Sequence, residues 1–118
     1  MTGSRIEILT AETFDTAVSE GSVLVEFSAR WCMPCRMLEP VLQQLAASFR
    51  GRVRVMSVDT DHQPALAERF AVHTVPTMIL MREGEVVRRF AGLTTFERLA
   101  EALESCAPAG GSQSGTGP

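Results

Sequence analysis

An α/β fold, with a mixed central β-sheet flanked by helices on both faces, is what this 118-residue chain predicts. Three observations carry that reading. Apolar residues switch repeatedly between the period of a strand and the period of a helix. One run, Ser22 to Ala29 ("SVLVEFSA"), is apolar almost throughout except at Glu26, which suits a central strand covered on both faces. Two late apolar runs flank "REGE", whose Gly84 marks a hairpin turn.

The elements follow in order. Arg5 to Leu9 reads as a short strand. Thr10 can cap a helix over Ala11 to Ser19 that sets Phe14, Ala17 and Val18 on one face. After the central strand, Pro34 to Phe49 carries Leu38, Val41, Leu42, Leu45 and Phe49 at helical spacing. Pro40 removes a donor inside this helix and should kink it, but the stripe continues beyond. Arg52 to Val58 is another strand, and Asp61 and Pro64 open a short helix to about Phe70. Thr77 to Met81 and Glu85 to Phe90 make the hairpin. Thr94 and Glu97 read as a capping box for a last helix carrying Phe96, Leu99, Ala100 and Leu103, with Cys106 extending its stripe as a small buried hydrophobe. Met37, Met56, Met78 and Met81 read as core filler, and His62 and His73 as surface residues. The order β-α-β-α-β-α-β-β-α pairs the early strands in parallel through helices and adds the hairpin antiparallel.

Length and composition narrow the function. The chain is one domain, residues 1–106, followed by "APAGGSQSGTGP" (107–118), which has no charge and no large apolar side chain and reads as a disordered tail. A net charge of -3 leaves no basic footprint for nucleic acid. The N-terminus lacks an apolar signal region, and the most apolar window, Val75 to Met81, is too short to span a membrane. Three cysteines without an export signal argue against a disulfide scaffold and for a cytoplasmic protein.

Chemistry concentrates in Trp31-Cys32-Met33-Pro34-Cys35, "WCMPC". In such sheets, sites gather at the carboxyl ends of strands, and Cys32 directly follows the central one. It stands at or before the first turn of its helix, where unpaired N–H groups and the positive dipole end favour thiolate over thiol. Cys35 lies three residues on, within disulfide reach, and Pro34 fits a first turn where a missing N–H costs nothing. One sulfur is expected to be exposed and acidic, the other deeper and in need of a base, as a two-step exchange requires. A structural zinc site is the bland alternative. It would need four ligands, and only Cys106, His62 and His73 remain, none in a paired spacing.

The segment "VEFSARWCMPCRMLEPVLQQLA", followed by "VPT" and then "GEVVRRFAG", resembles the thioredoxin family from about Ile8 to Leu103. W-C-x-P-C after an apolar strand, with Pro40, Val75-Pro76-Thr77 and Gly92 in matching places, is a specific signature. The resemblance implies a thioredoxin-like fold and a protein disulfide reductase that needs no bound cofactor, its electrons carried on the two sulfurs. Cys32 would attack a protein disulfide and Cys35 would resolve the mixed disulfide. Trp31 and Pro34 would shape the rim, and Pro76 would be a cis proline facing the dithiol. Val75 would offer backbone hydrogen bonds to an extended substrate segment, and Gly92 would leave it room. A flavin-dependent thioredoxin reductase would recycle the protein, which would act as a monomer.

Three positions depart from the family pattern. Glu26 stands where relatives usually carry Asp; burial should raise its pKa and make it a base for Cys35. Val55 occupies the strand position read as that of a Lys found close to the acid in relatives. Met33 replaces the usual Gly between the cysteines, adding an apolar side chain beside the attacking sulfur, with an expected effect on substrate preference. Arg30 and Arg36 add positive charge on either side of the pair. The sequence leaves two other readings: an oxidase or isomerase on the same fold, against which the retained Pro34 speaks, and a binding module whose dithiol is incidental.

Overall fold

The computed structural model describes residues 6–106. Arg5 at the start of the first expected strand and the tail reading of residues 107–118 lie outside the described residues. The elements run β1 (Glu7–Leu9), α1 (Ala11–Val18), β2 (Ser22–Ser28), α2 (Met33–Ser48), β3 (Val53–Asp59), α3 (Pro64–Arg69), β4 (Thr77–Arg82), β5 (Glu85–Ala91) and α4 (Phe96–Cys106). Their order is the one the sequence predicts.

The five strands form one mixed sheet in the order β1-β3-β2-β4-β5. β3 pairs in parallel with both β1 and β2, whereas β4 runs antiparallel to β2 and to β5. The largely apolar character of β2 therefore has its expected cause. It is the middle strand, hydrogen-bonded along both edges, and Ser22 to Phe27 are all buried.

Alternation along the strands sorts the core into two layers. Leu24, Val53, Val55, Met78 and Leu80 face α2 and α4, meeting Leu38, Leu42, Leu45, Leu99 and Leu103. Val23, Val25, Phe27, Met56, Val58 and Ile79 face the other way, toward Phe14, Val18 and Leu66 of α1 and α3. Each large side chain withdrawn from water in this way contributes about 1.5–3 kcal/mol. Glu26 belongs to the first face by the same alternation. A carboxyl group is thus built into the floor of the α2 layer.

Local chemistry explains the joints. Pro40 lies inside α2, on an exposed position where the carbonyl it leaves unpaired can meet water, and the helix runs on to Ser48. In the hairpin, Glu83 and Gly84 both have positive φ (51° and 83°), the requirement of a two-residue type I′ turn. Glu83 also donates its N–H to Gly21 O at 2.9 Å and accepts from Gly21 N–H at 3.1 Å, tying the turn to the start of β2.

Three expectations are corrected here. α4 is capped by Thr95 rather than Thr94: the Arg98 N–H donates to Thr95 Oγ1 at 3.2 Å and the Leu99 N–H to Thr95 O at 3.1 Å. The helix starts one residue later than a Thr94–Glu97 box requires, so Glu97 is too early to close it. Met37 is exposed rather than core, because it points away from the Leu38–Leu42–Leu45 stripe. Cys106 is only half-buried, packed at the edge of the α2/α4 layer.

Leu42 is fully buried in that layer. Leu42→Ala is expected to lower unfolding free energy by about 2–5 kcal/mol, read from denaturant midpoints; an unchanged midpoint would mean the layer is not close-packed there.

Candidate active site

The site forms where β2 hands over to α2. The carboxyl end of β2 is pinned by Thr60, which donates its N–H at 2.9 Å and its hydroxyl at 3.1 Å to Ser28 O. Four residues then turn the chain. The Cys32 N–H donates to Ala29 O at 3.2 Å, and Cys32 takes the N-cap position of α2 in an extended conformation. Its sulfur accepts the Cys35 N–H at 3.1 Å, the bond an Asp or Ser oxygen makes at an ordinary N-cap. A negative charge on Cys32 would therefore meet an aimed backbone donor and the positive end of a 16-residue helix. Pro34 occupies the first turn, where no donor is lost.

Cys32 and Cys35 are joined as a disulfide with their Cα atoms 5.3 Å apart. The expected contrast between an exposed Cys32 and a deeper Cys35 is not met in this oxidised state. They are 3% and 5% exposed, enclosed with Ala29 and Val75 in a small apolar cluster. What distinguishes the two sulfurs is their surroundings. Cys32 caps the helix and lies against Val75 O, whereas Cys35 lines a cleft together with Glu26.

Across the disulfide lies the loop leading into β4. The Val75–Pro76 bond is cis, and Val75 O lies 3.6 Å from Cys32 Sγ. Thr77 Oγ1 donates to Thr74 O at 2.7 Å, which closes this loop on itself. The Gly92 N–H donates to Pro76 O at 2.7 Å, bringing the end of β5 to the same spot. Gly92 has φ of 89°, and a side chain there would project into open space. Trp31, Met33, Met37 and Leu93 are the exposed large apolar side chains on the surrounding loops and helix. The Trp31 indole N–H donates to Asp61 Oδ2 at 2.9 Å, which fixes the ring.

On the opposite side of α2, Glu26 is 6% exposed, and its Oε2 has no hydrogen-bond partner among the described residues. Burial, and secondarily the negative charge of Glu39, push its pKa up from 4.5 to about 7. Glu26, Cys35, Ser57 and Glu39 line one cleft of about 590 Å³, which Arg30 and Arg36 also border. Val55 is not the strand position beside this acid. Glu26 pairs with Ser57, while Val55 pairs with Leu24 and belongs to the core. The strand position facing the carboxyl is uncharged either way.

The sequence reading missed Asp61, Ser57 and Glu39. Ser57 was recoverable from register, being two residues along the same face of β3 from Val55. Glu39 had a signal too: it stands four residues after Cys35, one turn along the same helix face. Nothing local marked Asp61 as the partner of Trp31. Among the described residues, no group of three or more His, Cys, Asp or Glu is placed to hold a metal ion.

A vicinal cysteine pair at a helix N-terminus, faced by a cis-proline loop and backed by a buried acid, defines a dithiol–disulfide oxidoreductase. The thioredoxin family model matches residues 5–105. Thioredoxin of Staphylococcus aureus is 38% identical over 96 residues, covering 81% of this chain and 92% of the relative. Thioredoxin of Staphylococcus saprophyticus matches at the same identity and coverage. The chain belongs to the thioredoxin family, and it is a protein disulfide reductase working through a reversible Cys32–Cys35 pair.

The raised pKa of Glu26 has a consequence for stability. Below pH 4.5 the group is protonated whether the chain is folded or not. Between 4.5 and about 7 the unfolded chain ionises it while the folded chain does not, so stability is lost as pH rises through that window. The expected loss is on the order of 3 kcal/mol. Denaturant unfolding of the oxidised protein should show this slope, and Glu26→Gln should flatten it; an equal slope in the variant would assign it to another group.

Proposed function

We propose that the two cysteines act in sequence, with Glu26 as the base for the second step. The Cys32 thiolate attacks one sulfur of a substrate disulfide, and the other substrate sulfur leaves as a thiolate that takes a proton from solvent. Cys35 then gives its proton to the Glu26 carboxylate, and its sulfur attacks Cys32. The second substrate sulfur leaves as a thiolate that takes a proton from solvent, and the Cys32–Cys35 disulfide closes, so two electrons have passed to substrate. The observation that carries this order is the Cys35 N–H bond to Cys32 Sγ at the helix N-terminus, because it stabilises charge on Cys32 and not on Cys35.

The substrate segment lies extended across Val75, Pro76 and Gly92, hydrogen-bonding to the Val75 backbone. Pro76 guards the disulfide face, Gly92 gives the segment room, and Trp31, Met33 and Pro34 form the rim. Met33 adds apolar surface next to the attacking sulfur and favours substrates with an apolar neighbour to the disulfide. A flavin-dependent thioredoxin reductase returns the two electrons, and the protein works as a cytoplasmic monomer. In support, no helix among the described residues is long and apolar enough to cross a membrane, and a net charge of -3 gives no attraction to nucleic acid or anionic lipid.

The order of attack is tested by trapping. Reduced Cys35→Ser mixed with a disulfide-bonded protein should accumulate a covalent adduct through Cys32, visible by intact mass. Cys32→Ser should form none and lose reductase turnover. Adducts through Cys35 in the second variant, at a comparable rate, would reverse the assignment.

A further inference from the structure

The methionines among the described residues divide into two groups, and the division falls at the active site. Met56, Met78 and Met81 lie in the core at 5% exposure or less, whereas Met33 and Met37 are 62% and 57% exposed. Met33 is the first residue of α2, next to the N-cap Cys32, and Met37 follows one turn along the same helix face. Together with Trp31 and Leu93 they are the exposed large apolar side chains around the disulfide.

While the disulfide is closed, the reactive sulfur at this rim is a thioether. Cys32 and Cys35 are bonded to each other and buried with Ala29 and Val75, so neither offers a thiolate to an oxidant. A thioether needs no deprotonation, and its exposure decides whether an oxidant reaches it. With a peroxide, the Met33 sulfur gives up two electrons and takes one oxygen; the O–O bond breaks and the other oxygen leaves as water. The product sulfoxide is polar where the thioether was apolar. Because Cys32 is almost wholly covered, a substrate reaches it across the neighbouring side chains, and the new oxygen stands among them. An apolar substrate flank would then remove that oxygen from water and give it no donor in exchange.

We propose that Met33 is an oxidation site that changes the protein's choice of substrate: its sulfoxide, formed by peroxide while the disulfide is closed, disfavours protein disulfides with apolar flanks and leaves small disulfides accessible. The amide that caps Cys32 belongs to the backbone, so the exchange chemistry itself is retained. Methionine sulfoxide is returned to methionine by dedicated reductases, which makes the change reversible. The preference for apolar flanks rests on the reading of Met33 as part of the substrate rim. The accessibility of its sulfur does not.

The test treats the disulfide form with dilute hydrogen peroxide and locates each added oxygen by peptide mass spectrometry. Met33 and Met37 should be modified well before Met56, Met78 and Met81; uniform modification, or an unmodified Met33, would overturn the proposal. Turnover is then measured with dithiothreitol as the recycling reductant. The KM for insulin, a disulfide-bonded protein, should rise about fivefold or more after treatment. Turnover of hydroxyethyl disulfide, which has no flanking chain, should be little changed. Met33→Leu keeps apolar bulk without the oxidisable sulfur, and its treated and untreated KM values should agree. An equal rise in that variant would assign the effect to Met37, Cys106 or another group and end the proposal. Untreated Met33→Gly separates this switch from the rim reading. A raised KM there, with the treated wild type unmoved, keeps the rim and sinks the switch. An unraised KM there, with the treated wild type impaired, does the reverse.

Discussion

The double pairing of β2 is the constraint from which the site is built. Hydrogen bonds to β3 on one side and β4 on the other fix both its position and its facing. Its alternation then directs Glu26 into the α2 layer, and its carboxyl end, pinned by Thr60, sets where α2 must begin. Because only four residues separate the strand from the helix, Cys32 has no choice but to cap that helix. The same strand pairing brings β4 alongside, so the loop that precedes it, with Val75 and Pro76, arrives against the sulfurs. One strand therefore places the cysteine pair, the acid behind it and the wall in front of it.

Two kinds of electrostatic preference are separated across the thickness of α2. At its N-terminal end, an amide donor and the helix dipole favour charge on Cys32. Behind it, burial disfavours charge on Glu26, and Glu39 reinforces this. The exchange reaction needs that asymmetry, since a thiolate must be available at one sulfur while a proton is held ready for transfer at the other. The buried Glu26 carboxyl costs stability at neutral pH, where the unfolded chain ionises it and the folded chain resists doing so.

Much of this was legible in the residues themselves. The apolar run "SVLVEFSA" could only be a strand covered on both faces, and the stripe through Leu38, Leu42 and Leu45 could only be a helix packed on it. The hairpin was legible because Gly84 supplies a positive φ at the turn. What local pattern could not supply was register and partnership. Whether Val55 or Ser57 faces Glu26 depends on how β2 and β3 align, and both positions share one face of the strand. The choice between Thr94 and Thr95 as a cap is a one-residue question that two adjacent threonines leave open. The burial of Cys32 depends on the Val75 loop, more than forty residues away in sequence, closing over it. Met37 shows the same limit: an apolar residue on a helix was read as core although its neighbours at 38 and 42 already defined the buried stripe.

The central claim is that this site is poised to give electrons to protein disulfides. The equilibrium potential of the Cys32–Cys35 pair tests it most directly, measured in graded dithiol buffers through the fluorescence of Trp31, the only Trp in a chain without Tyr. A potential near the reducing value characteristic of thioredoxins, about -270 mV, is the predicted result. A potential raised to about -200 mV or above, in the range of oxidising or isomerising relatives, would contradict it.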